Sequence, residues 1–266
     1  MKSYHDIDPS IWKIIFKVFD SIDIEPNIVD VGARNGMFIL PNEYAKKSSY
    51  IGFEPNNEEY KKLINEKSSS LQFSKKINFK KEKYLNTALW NKKCKKRFYI
   101  TSGVGASTLM GETNKLTDKM YLQNSINSYR DEHTAISKTE SVKCDTLNNI
   151  FKNYTIDFLK LDTEGSELSI LQGGSNLLKK QNILMIKTEF VFFKYYKDHK
   201  ILGDIHKFLD NFGYRLIFID QDQPKYSPIE SLIPKENDKG LTYAGDAYFC
   251  IDFVNNKISK QNSLRL

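Results

Sequence analysis

The sequence predicts an α/β fold with a mostly parallel β-sheet covered by helices on both faces. Short apolar runs typical of buried strands alternate along the chain with segments whose apolar residues recur at helical spacing. Strands that alternate with helices favour parallel pairing, because a crossover helix must return the chain to the same edge. The 266 residues, 40% of them apolar and 27% charged, are enough for one globular domain with a sizeable core.

The individual elements follow from these patterns in chain order. The predicted strands are the apolar runs at 27–31, 50–53, 79–89, 97–101, 142–144, 156–161, 183–186, 215–219 and 247–253. The predicted helices lie at 9–20, from 37, at 57–65, 116–129 and 146–151, from 164, and at 202–211. The run at 79–89 is expected to pair in a hairpin with 97–101, since no helical pattern separates the two.

The chain divides into a helical lead-in at 1–26, one domain at 27–254 and a C-terminal tail at 255–266. Within the domain, the segment 101–140 interrupts the alternation of strands and helices and is rich in glycine, serine and threonine. Long insertions of this kind are often functional, so we predict that it forms a substrate lid.

Apolar runs and cysteine content indicate the cellular environment of the protein. No run of 18 apolar residues exists, and the N-terminus lacks a signal peptide's basic-then-apolar pattern, so a soluble, cytoplasmic protein is predicted. Cys94, Cys144 and Cys250 are odd in number and far apart in sequence, which indicates reduced thiols.

Positive charge is concentrated in residues 75–97, which we call the basic band. It holds ten Lys/Arg against Glu82 alone, a local charge of +9, while the remaining 243 residues carry −2. Such a band can attract an anionic partner, whether nucleic acid, anionic glycan or a membrane surface. The alternative is a solvated hairpin face with no partner.

The densest functional signal lies after the first two predicted strands. Asp30 stands near the end of the first, followed by a turn bounded by Gly32 and Gly36, and Glu54 ends the second. Glycines let the backbone approach a ligand, and an acid in the position of Glu54 can bind both hydroxyls of a ribose. The pattern is not Gly-x-Gly-x-x-Gly, and a carboxylate at the turn suits a ligand with an ammonium and a sulfonium better than a pyrophosphate. S-adenosylmethionine is such a ligand; a plain strand-turn-helix is the alternative.

A second cluster of acids follows the strand at 156–161. The strand delivers Asp162 to its carboxyl end, where open α/β sheets bind ligands. Glu164 and Glu167 are predicted in the first turn of the next helix, where the helix dipole favours acids whatever the function. Asp162 is therefore interpreted as facing the site, and the two glutamates as structural.

Five motifs in order resemble the FkbM-type methyltransferase family, from about residue 27 to 190 with a weaker match at 246–249. They are Asp30-Val31-Gly32-Ala33 with Gly36; Gly52-Phe53-Glu54-Pro55; Asn86-Thr87-Ala88-Leu89; Thr146-Leu147; and 157–162 with Glu164-Gly165-Ser166-Glu167 and Leu171-Gln172-Gly173. The resemblance implies a Rossmann-like class I fold, with a seven-stranded sheet whose last strand is antiparallel. It also implies an S-adenosylmethionine-dependent methyltransferase, usually acting on a hydroxyl of a sugar or secondary metabolite.

The resemblance also assigns the cofactor site. The residues expected around S-adenosylmethionine are Asp30, Gly32, Ala33, Arg34, Gly36 and Glu54, with Asn86, Thr87 and Ala88 near the adenine. The chain departs from the family pattern at Arg34, where Asn is usual, and at Asn148, where Asp is usual.

Methyl transfer to oxygen needs a base at the carboxyl edge of the sheet to remove the acceptor's proton. Asp162 and Glu189 are the predicted catalytic residues, with Glu189 preferred as the base and His199 a third candidate. Alternatively, Asp162 and Glu189 with a further acid would hold Mg²⁺.

Three functions stay open on sequence alone. The first is an O-methyltransferase acting on a small molecule or glycan, and the second is a methyltransferase of RNA ribose, suggested by the basic band. The third is a non-catalytic module that binds S-adenosylmethionine, because a fold does not determine a function.

Overall fold

The structure is a computed structural model that describes residues 24–37, 40–65, 77–111, 134–221, 244–255 and 260–265, together with Lys17, Asp20 and Ser21. The helix predicted at 116–129 and most of the one predicted at 9–20 lie outside the described residues. The described strands are β1 (Asn27–Val31), β2 (Ser49–Phe53), β3 (Lys81–Leu85), β4 (Ala88–Leu89), β5 (Cys94–Thr101), β6 (Ile136–Asp145), β7 (Ile156–Leu161), β8 (Ile183–Val191), β9 (Tyr214–Gln221) and β10 (Ala244–Ile251). The described helices are α1 (Asn42–Ala45), α2 (Asn57–Ile64), a 3₁₀ turn (Val104–Ala106), α3 (Leu147–Ile150), α4 (Glu167–Gly173), α5 (Ser175–Lys179), α6 (Leu202–Asp210) and α7 (Lys260–Arg265).

The main sheet has seven strands in the order β3-β2-β1-β7-β8-β10-β9. Neighbouring strands from β3 to β8 are all parallel. Strand β10 runs antiparallel to both of its neighbours, β8 and β9. The predicted fold class, a mostly parallel Rossmann-like sheet of the class I type with an antiparallel last strand, is therefore confirmed.

The two central strands, β1 and β7, are buried on both faces. Val29 and Val31 in β1 and Leu159 and Leu161 in β7 pack in the main hydrophobic core on one face. On the other face, Ile28, Asp30 and Lys160 are also buried. Burial of successive side chains requires a layer on each face of the sheet, which is typical of parallel strands between helices. The carboxyl ends of β1 and β7 therefore have well-defined positions, and the site is built on them.

A second sheet of three strands has the order β4-β6-β5. The predicted hairpin between 79–89 and 97–101 is wrong, because β5 pairs antiparallel with β6 and β3 pairs with β2. The break comes at Asn86, whose side-chain amide donates to the carbonyl oxygens of Glu54 and Pro55, at 2.9 and 3.2 Å. These bonds end β3 and turn the chain away from the main sheet.

Two helices begin later than predicted. Helix α1 begins at Asn42, directly after Pro41, because proline has no N–H for a helix interior. Helix α4 begins at Glu167, because the two residues Glu164 and Gly165 have left-handed backbone, with φ of 55° and 103°. Glu164 therefore lies in the loop after β7, not in a helical turn.

The three cysteines are free thiols. Cys94 and Cys144, 50 positions apart in the sequence, are direct partners in the register of β5 and β6. Sequence separation gave no sign of this proximity, because it depends on the pairing of the second sheet.

Helix α7, inside the predicted tail, secures the amino end of β7. The Arg265 guanidinium donates to the Asp157 carboxylate at 2.6 Å, and the same oxygen accepts the backbone N–H of Asn27 at 2.7 Å. The Asn262 side chain donates to the carbonyl oxygen of Gln181 at 2.8 Å. The start of β1, the start of β7 and the last helix are thereby joined.

Candidate functional site

The turn after β1 is closed by Gly32. Its φ is +84°, and a Cβ at this position would stand 1.8 Å from the carbonyl oxygen of Asp162, so only glycine permits the approach. The amides of Gly32 and Ala33 both donate to the carbonyl oxygen of Phe53, at 3.1 and 3.0 Å. The carboxyl ends of β1, β2 and β7 therefore meet at one point.

A cavity of about 310 Å³ lies between this turn and the second sheet. Its polar wall follows the ends of β1, β2 and β7 and includes Gly32, Arg34, Asn35, Glu54, Asn56, Glu59, Lys160, Asp162, Thr163 and Glu164. Its apolar wall comes from β4, β5, α4 and the segment after β5 and includes Ala88, Leu89, Phe98, Leu109 and Ile170. Such a lining suits a ligand with one charged part and one flat apolar part.

Glu54 is the buried acid at the end of β2. Its Oε1 accepts the backbone N–H of Asn56 at 2.7 Å, and Oε2 has no partner among the described residues. Burial raises the pKa of Glu54 to about 7, because removal from water disfavours the carboxylate. A ligand that donates hydrogen bonds to this carboxylate would favour its ionised form.

Asp30 lies beneath the cavity and holds Lys160. Its two oxygens accept from the Tyr50 hydroxyl at 2.9 Å and from the Lys160 ammonium at 3.0 Å. The ammonium also lies 3.2 Å from Oδ2 of Asp162. Burial lowers the pKa of Lys160, but the carboxylates of Asp30 and Asp162 outweigh it and hold the pKa above its ordinary value. Lys160 is thus a buried cation that fixes Asp162 on the cavity wall.

Arg34 crosses from the Gly32 turn to helix α2. Its Nε lies 3.2 Å from the buried Glu59 carboxylate, which also binds Lys62 at 2.5 Å. A Cβ on Gly105 would stand 3.1 Å from the Arg34 guanidinium, so the 3₁₀ turn packs directly on this side chain. Arg34 therefore links the polar wall to the 3₁₀ turn after β5.

The loop between β7 and α4 is shaped by Glu167. Its Oε1 accepts the hydroxyl and the N–H of Thr163, at 2.8 and 2.9 Å, and the N–H of Gly165 at 3.3 Å. These bonds support the structural interpretation of Glu167. Glu164, by contrast, lines the cavity from a left-handed backbone, a conformation that non-glycine residues adopt mainly at functional sites.

Six of the predicted site residues line the cavity: Gly32, Arg34, Glu54, Thr87, Ala88 and Asp162. Four of the predicted cofactor residues do not: Asp30, Ala33, Gly36 and Asn86. Asn86 contributes indirectly, because its side chain donates to the backbone carbonyls of Glu54 and Pro55 and so fixes the chain beside Glu54. The expected direct contact between Asp30 and a cationic ligand is not supported, because both oxygens are engaged inside the protein and the side chain is fully buried.

Glu189 and His199, the other two predicted catalytic residues, do not lie on the cavity wall. Glu189 lies within β8, not after it, and is the register partner of Asp246. Burial and the carboxylates around it raise the pKa of Glu189 well above its ordinary value. Burial lowers the pKa of His199 to about 4, and its Nδ1 accepts the N–H of Tyr195 at 3.3 Å. Burial therefore disfavours the charged form of both side chains.

The magnesium alternative finds no support. Among the described residues, no group of three or more His, Cys, Asp and Glu side chains is arranged to hold a metal ion. Asp162, its central residue, already pairs with the Lys160 ammonium.

Several wall residues were not predicted as site residues. Glu59 gave no sequence signal beyond being an acid in a helix. Phe98 lies on β5, whose pairing was predicted wrongly, and Leu109 lies after β5 and packs in the same cluster as Phe98. Ser166 stood in a motif already noted, but only the structure shows that it faces the cavity.

The comparison with protein families decides the assignment. Residues 30–216 match the sequence profile of the Methyltransferase FkbM domain. The chain belongs to the FkbM methyltransferase family. The family predicted from the motifs is thereby confirmed for this FkbM protein. No curated protein matches the chain.

Solved structures similar to the FkbM protein include a methyltransferase FkbM from Methylobacillus flagellatus KT, with 14% identity and a TM-score of 0.46. That similarity covers 85% of this chain but 43% of the other, so this chain spans less than half of the Methylobacillus protein. Another is magnesium protoporphyrin IX methyltransferase from Synechocystis PCC 6803 with bound SAM, with 9% identity, a TM-score of 0.40 and coverage of 91% and 78%. No helix in the described part of the FkbM protein is long and apolar enough to cross a membrane.

Proposed function

We propose that this FkbM protein is an S-adenosylmethionine-dependent O-methyltransferase whose acceptor is a hydroxyl of a sugar, glycan or secondary metabolite. The observation that carries the proposal is Glu54, a buried carboxylate that lines the cavity together with Gly32 and whose Oε2 has no partner among the described residues. The two walls fit the cofactor, since acids suit its ammonium and sulfonium and apolar side chains suit its adenine. Family membership supports the same reaction class.

The residues of the chain would divide the work as follows. Glu54 holds the ribose, and the polar wall orients the amino-acid end of the cofactor, which supplies a methyl group on a sulfonium when bound. Asp162, fixed by Lys160, stands on the wall and accepts a hydrogen bond from the acceptor hydroxyl. Glu189, on the neighbouring strand β8, is the alternative base, and His199 is the third candidate.

Replacing Glu54 tests the cofactor proposal. Glu54→Ala should weaken S-adenosylhomocysteine binding by about 1.5–3 kcal/mol, the range for hydrogen bonds to a charged group. Isothermal calorimetry measures this loss. Glu58→Ala, on the exposed side of helix α2, is the matched control and should leave the affinity unchanged. Tight NAD binding without S-adenosylhomocysteine binding would contradict the proposal, and binding without turnover of any acceptor would favour the non-catalytic module.

The pKa of Glu54, raised to about 7, adds a pH signature to this test. Affinity should fall as the pH drops through 7, because the carboxylate that accepts the ribose hydroxyls becomes protonated. The ligand-free protein should behave in the opposite way. Since the folded state holds this proton more tightly than the unfolded chain, its stability is lost as pH rises from about 4.5 through 7, and Glu54→Gln should abolish that loss.

Part of the basic band is neutralised within the protein. Lys80 and Lys81 pair with Glu25, at 2.9 and 2.8 Å. Lys96 lies 3.6 Å from the centre of the Trp90 ring, a cation–π contact. These three side chains are therefore accounted for without an anionic partner.

Four further cations of the band, Lys92, Lys93, Lys95 and Arg97, together with Lys143 of β6 form what we call the cationic face, and all five are exposed. Lys95 and Lys143 are direct register partners on β5 and β6, and like charges in that position destabilise a sheet. No described acid pairs with any of the five. The repulsion between these like charges would be relieved by an anionic partner. An RNA ribose methyltransferase is therefore kept as the second candidate function.

Charge removal separates the two candidates. The variant with Lys92, Lys93, Lys95 and Arg97 changed to Gln should lose most of its salt-dependent affinity for a single-stranded RNA oligonucleotide, if RNA is the acceptor. Its affinity for S-adenosylhomocysteine should not change. Fluorescence anisotropy at several salt concentrations measures the first quantity. The control changes Lys152, Lys179 and Lys180, which are exposed at or just after the ends of α3 and α5, to Gln. Equal RNA binding by all three proteins would exclude the cationic face as an RNA site.

We also retain the proposal that the segment 101–140 covers the acceptor. In its described part, Val104, Ser107 and Leu109 line the cavity. The Thr108 hydroxyl donates to the carbonyl oxygen of Glu164 at 2.7 Å. These contacts support a role for the segment in excluding water from the reacting atoms.

A further inference from the structure

Five buried polar side chains line the cavity: Glu54, Asn56, Glu59, Lys160 and Ser166. The first four are engaged within the protein, with Asn56 accepting two N–H groups at the start of α2 and the others bonded as described above. The hydroxyl of Ser166, only 1% exposed, has no hydrogen-bond partner. A buried polar group without a partner costs stability, and native structures keep few of them without a functional reason.

Ser166 belongs to the apolar part of the cavity. Its carbonyl oxygen accepts the N–H of Ile170 at 3.0 Å, so the two residues are stacked one helical turn apart. Ile170 packs in the same core cluster as Leu89, the strand residue that follows the Asn86–Ala88 motif. The unpartnered hydroxyl therefore stands beside Ile170 on the apolar side of the cavity.

We propose that the Ser166 hydroxyl forms a hydrogen bond with the adenine ring of the cofactor and thereby selects a purine with the correct pattern of ring nitrogens. This inference rests on the proposed function. From a ribose held by Glu54, the charged amino-acid end fits the polar wall, which leaves the apolar wall for the base. Adenine has flat, apolar faces that suit the apolar wall. Its rim carries nitrogen acceptors and an amino group, and the Ser166 hydroxyl is the group on this wall that would pair with one of them.

The first test uses S-adenosylhomocysteine as the probe, in calorimetry and in thermal unfolding. Ser166→Ala should bind it about tenfold more weakly, as expected for one lost hydrogen bond. The ligand-free variant should melt at the same temperature or higher, because it loses a hydroxyl that had no partner. Ser48→Ala is the control: Ser48 is fully buried outside the cavity wall, and its hydroxyl donates to the carbonyl oxygen of Tyr44 at 2.8 Å. That variant should melt lower and keep its affinity.

The second test identifies the atom that is bound. Wild type and Ser166→Ala are compared on S-adenosylhomocysteine analogues that lack one ring nitrogen (1-deaza, 3-deaza and 7-deaza) or carry oxygen in place of the 6-amino group. The affinity difference between the two proteins should vanish for one analogue and persist for the others. Equal affinity of both proteins for S-adenosylhomocysteine, or the same loss with every analogue, would overturn the inference. Failure of the wild type to bind the probe at all would overturn the proposed function as well.

Discussion

Gly32→Ala should destabilise the protein by more than about 4 kcal/mol, a loss that few single substitutions cause. The left-handed backbone at this position costs a non-glycine residue about 1–2 kcal/mol. The larger part comes from the Cβ, which would stand 1.8 Å from the carbonyl oxygen of Asp162. Neither the Cβ nor the carbonyl can rotate away, because both are fixed by the backbone that directly follows the central strands β1 and β7, so the ends of these strands must separate. Urea unfolding followed by circular dichroism measures the change.

Gly203→Ala is the matched control for this substitution. Gly203 lies in helix α6, and a Cβ there would meet nothing within 4 Å. The change should stabilise the protein by about 0.5–1 kcal/mol, the difference in helix propensity. If Gly32→Ala were as stable as the control, the close approach of β1 and β7 would not exist as described.

Lys160→Met should cost about 3–5 kcal/mol, the usual result of removing one partner of a buried ion pair. The substitution leaves the Asp30 carboxylate buried with only the Tyr50 hydroxyl as a partner. Burial raises the pKa of Asp30 even with the Lys160 ammonium beside it, and loss of that ammonium should raise the pKa further. An acid with a raised pKa lowers the free energy of unfolding only at pH values at which it is ionised. The stability lost in Lys160→Met should therefore become smaller as the pH falls from 8 towards 5.

Denaturation at the two pH values is the measurement for Lys160→Met. Lys138→Met serves as the control, because Lys138 makes exposed salt bridges to Glu58 and Glu140 that contribute little to stability. A deficit that stays constant between the two pH values would show that lost packing, not the unpaired carboxylate, explains the effect.

Elements with strong local signals could be predicted from the sequence. Strands β1 and β7 match their predicted bounds, because each is a short apolar run with polar residues on both sides. The role of Gly32 and the position of Glu54 followed from the same local patterns. The second sheet could not be predicted, because β5 and β6 are separated by more than thirty residues and their pairing leaves no local pattern.

The site was harder to predict than the fold, for a physical reason. Asp30 carries the same sequence signal whether it faces a ligand or a lysine, and only the register with Lys160 and the Tyr50 hydroxyl from β2 decides between them. The unpartnered state of Ser166 is likewise a property of three-dimensional surroundings. Sequence patterns place an acid or a hydroxyl near the carboxyl edge of the sheet. They do not show whether another group of the protein already binds that side chain.

The bond network at the amino ends of β1 and β7 has a mechanical consequence. These two strands are tied together at one end by Asp157, which binds Asn27 and Arg265, and at the other by the contact between Gly32 and Asp162. Most buried residues of the second sheet, by contrast, pack in a small hydrophobic cluster of their own, and among its described residues only Leu89 belongs to the main core. We therefore expect the half of the cavity that would hold the ribose to be stiffer than the half formed by the second sheet. Any widening of the cavity to admit a ligand would therefore be a displacement of the second sheet against a fixed base.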